Sequence, residues 1–309
     1  METLDMGEIT PLLNILLSLA LAPLLTGVIN RTKALFAGRN GQPILQLYYD
    51  LFKLLNKGAV YSRTTSWVFR AGPIIGLSSL LAAMTVMPFG GSSALFPFQG
   101  DLVLFAYLLG LARLLTILAA LDTGSAFEGM GCSREALFSA LAEPVLFIGL
   151  TVIARYATNL SLTGMLAAIN PGAWAKAGPA LTLVVTALLF VFLTENCRIP
   201  VDDPNTHLEL TMIHEVMVLD HTGPDLAFIL YGAALKLWVL GTIIISIVIP
   251  IHTGNAWLDY MAFFCGMVLL AIAVGVVESS MARLRMLRVP QMLVGAGALA
   301  ILALFLVLR

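Results

Sequence analysis

Eight long apolar segments restrict the fold of this sequence more than any other feature. They cover residues 12–29, 71–87, 102–121, 136–153, 179–194, 226–249, 260–277 and 292–308. A helix needs roughly 17–25 mostly apolar residues to cross a bilayer, so the short fifth segment is expected to extend into its flanks. At 59% hydrophobic and 11% charged residues, no water-soluble domain could bury this much apolar surface. The sequence predicts an all-α polytopic membrane protein with one integral membrane domain over residues 1–309.

Basic residues are divided unequally between the two sets of connections. Three of them, Arg155, Lys176 and Arg309, belong to one side. The connections 1–2, 3–4, 5–6 and 7–8 hold twelve: Arg31, Lys33, Arg39, Lys53, Lys57, Arg63, Arg70, Arg134, Arg198, Arg283, Arg285 and Arg288. Because cytoplasmic loops carry the excess of Lys and Arg, these four connections are predicted to be cytoplasmic and both termini external. The protein is expected in a prokaryotic inner membrane. The N-terminus lacks the basic residues with which a cleavable signal peptide begins, so none is predicted.

The most charge-dense stretch is the connection at residues 194–225, called the central loop below. Asp203-Pro204 is typical of an N-cap followed by a proline at the first helical position. Gly223-Pro224 is expected to end the helix. Between them, apolar residues recur at helical spacing: Leu208, Met212, Ile213, Val216 and Leu219. The pattern predicts an amphipathic helix beside the membrane.

A second amphipathic helix is predicted over residues 43–57, between the first two apolar segments. Gln46, Asp50, Lys53 and Lys57 are expected to point away from its apolar face. That face is formed by Ile44, Leu47, Tyr48, Leu51, Phe52 and Leu55. The helix should lie along the membrane interface. Residues 89–100 and 159–178 are expected to be plain external connectors.

Ionisable residues within the apolar segments are candidate functional residues. Arg113, Glu143 and Lys236 stand inside segments, and Glu195 and Glu278 close two others. Such residues cost about 2.5–3.5 kcal/mol on insertion scales. One interpretation is that they form buried salt bridges that fix helix register. The other is that Glu143 exchanges protons, because a carboxyl in a low-dielectric site binds its proton more tightly.

The central loop concentrates groups that can hold and release protons. They are Asp202, Asp203, Glu209, Glu215 and Asp220, with His207, His214 and His221. These groups suit proton transfer, although a solvated loop would look similar.

No catalytic residue or metal site is predicted on this chain. The second histidine of an HExxH motif would fall where Val218 stands, and GSAFEGMG at 124–131 lacks the lysine of a phosphate-binding loop. The three cysteines form no CxxC pair. A net charge of −1 indicates no nucleic-acid partner.

Three stretches together resemble the eight-helix membrane subunit at the elbow of respiratory complex I. They are GQPILQLYYDLFKL (41–54), REALFSALAE (134–143) and ENCRIPVDDPNTHLEL (195–210). Motif order and all eight spans match, so the resemblance covers nearly the whole chain. DTGSAFEGMGCSR (122–134) and ESSMARLR (278–285) make it more similar to the membrane subunit of group 4, energy-converting [NiFe] hydrogenases of the formate hydrogenlyase and hydrogenase-4 type.

The resemblance implies a non-catalytic subunit of a redox-driven proton or sodium pump. Such a subunit anchors a soluble electron-transfer module, which consists of hydrogenase-like large and small subunits. It passes redox energy to antiporter-like membrane subunits. The chain itself would hold no cofactor, and the iron–sulfur clusters and the [NiFe] centre would belong to partner subunits.

Three groups of residues receive roles from this reading. Asp50 and Lys53 would form an interfacial gate beside the docked module. The cations that pair with carboxylates would be Arg113, Arg134, Arg198 and Lys236. The proton-conducting or charge-coupling path would use Glu143, Glu195, Asp202, Asp203, Glu209, Glu215, His207 and His214.

Two alternatives remain open. The first is the quinone-site subunit of a complex I-like NADH or ferredoxin dehydrogenase. Asn205, His207 and Met217 stand where quinone-site relatives carry further glutamates, which argues against a complex I-type quinone cavity. The second is a free-standing ion or solute transporter, although the two halves show no internal repeat.

Overall fold

In a computed structural model, this chain folds into a bundle of α-helices. The structure describes residues 6–202, 212–250 and 253–309, with side chains from Thr10 onward. Eight helices are long and apolar enough to cross a membrane, which confirms the eight predicted spans. They are α1 (Met6–Phe36), α3 (Trp67–Val86), α4 (Asp101–Asp122), α5 (Ala126–Ala157), α7 (Pro171–Glu195), α9 (Pro224–Val248), α10 (Ala256–Ser280) and α11 (Val289–Leu308). The described part also contains three short α-helices and a 3-10 turn: α2 (Gln46–Leu55), α6 (Leu162–Ala167), α8 (His214–Met217) and the turn at Met286–Arg288.

Helix α9 forms the centre of the bundle. It packs against α1, α3, α7 and α10, and its Trp238 is fully buried. Around it, α3 packs on α4, α1 on α10, and α11 on both α5 and α7. The charged residues of α4, α5, α7 and α9 are thereby brought toward one region.

The four base-rich connections lie on one face of the bundle, and hydrogen bonds join them. Ser66 N donates to Asp122 Oδ2, and Val60 N donates to Thr222 Oγ1. Leu284 N, after α10, donates to the carbonyl of Pro200 in the central loop. We call this side the central-loop face. The prediction that these connections share a side is confirmed in geometry.

Helix α2 lies on the central-loop face within the predicted range 43–57. Gln46 and Asp50, which were predicted to point away from its apolar face, line a cavity beside the helix. Phe52 of the apolar face is 74% exposed, as expected of a helix that lies along a membrane interface.

The described part of the central loop contradicts the predicted long helix. Only α8, four residues long, is helical between Met212 and Gly223. Gly223, with φ 58°, and Pro224 begin α9, so this dipeptide starts a helix instead of ending one. Tertiary hydrogen bonds at both ends of the segment override the local periodicity. Asp203, His207 and Glu209 lie outside the described residues.

The connection at 159–178 is more structured than predicted. It contains α6 and the first turns of α7, which begins at Pro171 rather than at residue 179. Asn170 caps α7 by accepting a hydrogen bond from Ala173 N, and Pro171 occupies the first turn. The extension of the short fifth span into its flank is thus confirmed. Its backbone kinks at Ala177, two residues before Pro179.

Candidate functional site

A cluster of five charged side chains lies where α4, α5, α7 and α9 meet. Arg113 Nη1 is 2.6 Å from Glu143 Oε1, and its Nη2 is 2.7 Å from Glu195 Oε2. Lys236 Nζ is 2.8 Å from the same Glu195 oxygen, and Arg113 Nε is 3.8 Å from Glu135 Oε1. Three carboxylates and two cations are therefore held within ion-pair distance. We call them the inner cluster.

The inner cluster explains how these charges are tolerated inside the bundle. An unpaired charge in a low-dielectric interior costs several kcal/mol, whereas paired and hydrogen-bonded charges offset much of this cost. The guanidinium of Arg113 presents donors in a planar fork, so it can hold Glu143 and Glu195 at once. The salt-bridge interpretation of Arg113 and Lys236 describes their geometry correctly.

Glu135 is a member of the cluster that the sequence reasoning missed. It is 8% exposed and belongs to the first part of α5, where the predicted span had not yet begun. Glu135, Ser139 and Glu143 are spaced at i, i+4 and i+8 and therefore share one helix face. This spacing was the signal available in the sequence.

Glu143 differs from the other carboxylates because its side chain is 44% exposed, against 4% for Glu195. It lies beside Gly110 of α4, where a Cβ would be 3.6 Å from Glu143 Oε1. The inner cluster therefore reaches the outer surface of the chain between α4 and α5.

A second group of charges joins the start of the central loop to the ends of α1 and α10. Glu278 Oε2 lies 2.8 Å from Lys33 Nζ, and Glu278 Oε1 lies 3.5 Å from Arg198 Nη1. Asp202 Oδ1 is 2.9 Å from Arg283 Nη2, and its Oδ2 accepts a hydrogen bond of 2.8 Å from Ile213 N. We call this group the outer cluster. It ties residues 198–202 to the neighbouring helix ends.

A cavity of about 270 Å³ lies between the two clusters. It is bounded by α1, α2, α3, α4, α7 and α9, by Glu135 of α5 and by the central loop. Of the predicted site residues, it brings together Asp50, Arg113, Glu195, Arg198, Asp202, His214, Glu215 and Lys236. Lys53, Arg134 and Glu143 do not line it; Lys53 is exposed, and Arg134 Nη1 donates to the carbonyl of Met212.

His214 lies at the cavity wall as a neutral imidazole. Burial, together with the positive charge of Lys236, lowers the pKa of His214 to about 4. Its imidazole therefore accepts hydrogen bonds at neutral pH and is not charged there. Cys197 also lines the cavity, and burial raises the pKa of its thiol well above the ordinary value, so this residue is a neutral thiol.

These features define a multi-pass membrane protein with two clusters of ion pairs beside a cavity. The sequence pattern of the NADH dehydrogenase family matches residues 9–308, and the chain belongs to this family.

Two curated relatives come from Escherichia coli (strain K12). The chain is 30% identical to formate hydrogenlyase subunit 4 over 293 residues, covering 91% of this chain and 92% of that protein. It is 32% identical to hydrogenase-4 component C over 234 residues, covering 75% and 72%. The predicted resemblance to this group of hydrogenase membrane subunits and to complex I is confirmed.

A solved structure shares the fold. A chain of the membrane-bound sulfane sulfur reductase, an archaeal respiratory membrane complex, superposes with a TM-score of 0.84 at 19% identity. The match covers 97% of this chain and 98% of that chain. The eight-helix architecture is therefore shared from end to end.

Proposed function

We propose that this chain is the membrane-anchoring and energy-coupling subunit of a multi-subunit, redox-driven ion pump of the membrane-bound [NiFe] hydrogenase or formate hydrogenlyase type. The names of the two E. coli relatives support this assignment, since both are components of hydrogen-metabolising complexes and one aligns over nearly its full length.

The observation that carries the proposal is the sequence of charges from the central-loop face to the surface of the bundle. Asp202 and Arg198 stand at one wall of the cavity, and Lys236 and Glu195 at another. From Glu195, Arg113 continues the series to Glu143 on the outer surface. A charge change at the central loop alters the field along this series, and the low-dielectric surroundings strengthen the effect.

Glu143 is the residue through which this subunit would transmit the charge change to a neighbouring subunit. A carboxylate that faces lipid is expensive, so its exposed side is expected to be covered by another membrane protein. An antiporter-like subunit with its own ionisable residues would fit that position. The coupling ion is then moved by the neighbouring subunit and not by this chain.

The soluble electron-transfer module would dock on the central-loop face, which by the distribution of Lys and Arg is assigned to the cytoplasm. Exposed residues of α2, including Lys53, belong to this surface. Within the described residues, no three side chains of His, Cys, Asp or Glu are grouped to hold a metal ion. By analogy with the two hydrogenase relatives, we propose that hydrogenase-like partner subunits hold the iron–sulfur clusters and the [NiFe] centre.

The variant Glu143→Gln tests the proposal. Gln keeps the size and most of the hydrogen bonding to Arg113 but cannot titrate. The assembled complex is expected to keep electron transfer with artificial acceptors and to lose ion pumping in sealed vesicles. Lys176→Gln removes an exposed charge on the opposite side of the bundle and is the control, with unchanged pumping. Pumping at the wild-type ion-to-electron ratio in Glu143→Gln would make Glu143 structural and reject the path.

The cavity favours one second candidate, the quinone-site subunit of a complex I-like dehydrogenase. It lies between α2 and the central loop, and ligand pockets start at about 300 Å³, close to its volume. A quinone-dependent activity that short-chain quinone analogues inhibit would decide for this function. The free-standing transporter predicts ion transport by the isolated chain in proteoliposomes, where a coupling subunit is inactive.

A further inference from the structure

The first part of α5 forms a seat for the second half of the central loop. Three residues at i, i+3 and i+6 of this helix contact the loop: Glu128, Gly131 and Arg134. Glu128 Oε1 accepts a hydrogen bond of 3.3 Å from Asp220 N. Arg134 Nη1 donates a hydrogen bond of 2.9 Å to the carbonyl of Met212. The two polar contacts hold the two ends of residues 212–220.

Gly131, between them, lets the loop approach the helix axis. A Cβ at this position would stand 2.4 Å from Val216 Cγ1, 2.9 Å from Met217 Cγ and 2.9 Å from the carbonyl oxygen of Ile213. Real Cβ atoms are not found at such distances, and Val216 has a stiff, β-branched side chain. Only glycine therefore permits α8 to lie in its observed position on α5.

The residues held by this seat are those that line the cavity. Ile213 N donates to Asp202, so the seat also positions a carboxylate of the outer cluster. His214 and Glu215 face the cavity that Glu195 and Lys236 line from the other side. Displacing α8 by a fraction of an ångström moves these groups relative to the inner cluster.

We infer that Gly131 is a positioning residue for energy coupling: it sets the distance between the central loop and the inner cluster, and it touches neither the reacting centre nor the ion. The inference rests on the proposed function. It assigns to the glycine-rich start of α5 a mechanical role in coupling and no role in ligand binding.

The variant Gly131→Ala in the complete complex tests this inference. Misplacement by about 1 Å can cost a site up to about 10²-fold, so the ion-to-electron ratio is expected to fall by about twofold or more. Electron transfer to artificial acceptors should stay unchanged. Gly129→Ala, on the same helix, is the matched control, because a Cβ at Gly129 would meet no atom within 4 Å. A wild-type ratio in Gly131→Ala overturns the inference.

A rescue variant separates positioning from general damage. Val216→Ala removes the methyl group that the new Cβ would meet first, so Gly131→Ala with Val216→Ala should recover part of the ratio. The recovery is expected to be partial, because Met217 Cγ and the carbonyl oxygen of Ile213 would still stand 2.9 Å from the new Cβ. Should the single variant fail to assemble, recovery of assembly in the double variant supports the same conclusion.

A readout that does not depend on pumping keeps the inference distinct from the proposed function. Cys197 lines the cavity at the start of the central loop. Its alkylation by N-ethylmaleimide, measured on its own peptide by mass spectrometry, should be faster by about twofold or more in Gly131→Ala, because the displaced loop opens the cavity. An unchanged alkylation rate of Cys197 would show that Gly131 does not set the position of the loop, and it would reject the inference whether or not the complex pumps ions. If the wild-type complex does not pump ions, only the proposed function is rejected.

Discussion

At the scale of single residues, Arg113 decides how the interior charges are arranged. Its guanidinium contacts Glu143 and Glu195, and Lys236 gives Glu195 a second cation. Glu195 is therefore enclosed by positive charge and largely buried. Glu143, which is open to the outside of the chain, is the carboxylate that a neighbouring subunit can reach. The ion pairs hold these charges in place, while the Glu143 carboxylate stays accessible to a neighbouring subunit. Ion pairing within the cluster is therefore compatible with coupling.

The sequence showed most of the inner cluster but not its composition. Arg113, Glu143 and Lys236 were visible because a charge inside an apolar segment is conspicuous. Glu135 was not, because it stands in the polar start of α5, where a charge looks ordinary. Which cation contacts which carboxylate depends on helix packing, and hydropathy carries no information on that.

His221 provides a prediction about pH. It is 4% exposed and stacks on Phe69 with ring centroids 4.0 Å apart. Burial lowers its pKa from 6.5 to about 4. The unfolded chain thus binds the proton more tightly than the folded chain. The stability due to the neutral ring is complete above pH 6.5 and is lost as the pH falls toward 4, by up to about 3 kcal/mol.

The variant His221→Phe keeps the stacking on Phe69 and removes the titration. Thermal unfolding of the detergent-purified complex is measured between pH 7.5 and pH 4.5 for both proteins. On acidification, the unfolding temperature of the wild type should fall further than that of the variant. Parallel losses would show that protonation of His221 does not destabilise the fold.

At the scale of elements, the reliable predictions were those that the membrane enforces. A lipid-spanning helix must satisfy its backbone hydrogen bonds internally and be apolar over its whole length, so composition alone located all eight spans. The central loop follows no such rule. Its helical periodicity was real, but Asp202, Arg134 and Gly131 bind residues 212–216 in another conformation. These contacts come from residues distant in sequence and could not be read locally.

Helix α2 gives a prediction about docking. Asp50 faces the cavity, whereas Lys53 is exposed on the central-loop face, so Lys53 is the better test of a docking surface. Lys53→Glu should weaken attachment of the soluble module by about 1 kcal/mol, roughly fivefold, and the loss should shrink at high salt. The measurement is the fraction of module retained on washed membranes.

Lys176→Glu is the control for docking, because Lys176 is an exposed lysine at the start of α7 on the opposite side of the bundle. Equal retention of the module by the two variants would place the docking surface away from α2.

At the scale of the whole molecule, the two faces of the bundle have different characters. On the central-loop face, four connections are joined by hydrogen bonds and by the outer cluster, and the cavity lies beneath them. On the opposite face, the loops are joined by the hydrogen bond from Ala94 N to Thr163 Oγ1, and the Asp101 carboxylate accepts hydrogen bonds from Ser161 Oγ and Leu162 N. A redox module that has to influence the inner cluster would act through the first face.

The orientation of the molecule is the last prediction. Cys132 and Cys197 are buried and unsuited to surface labelling, so cysteines are introduced at exposed lysines: Lys57→Cys on the central-loop face and Lys176→Cys on the other. Because basic residues favour the cytoplasm, a membrane-impermeant thiol reagent added to intact cells should label Lys176→Cys and spare Lys57→Cys. Lysed cells should show labelling at both positions. The reverse labelling pattern in intact cells would show that the central-loop face is external, and the soluble module would then have to dock from outside.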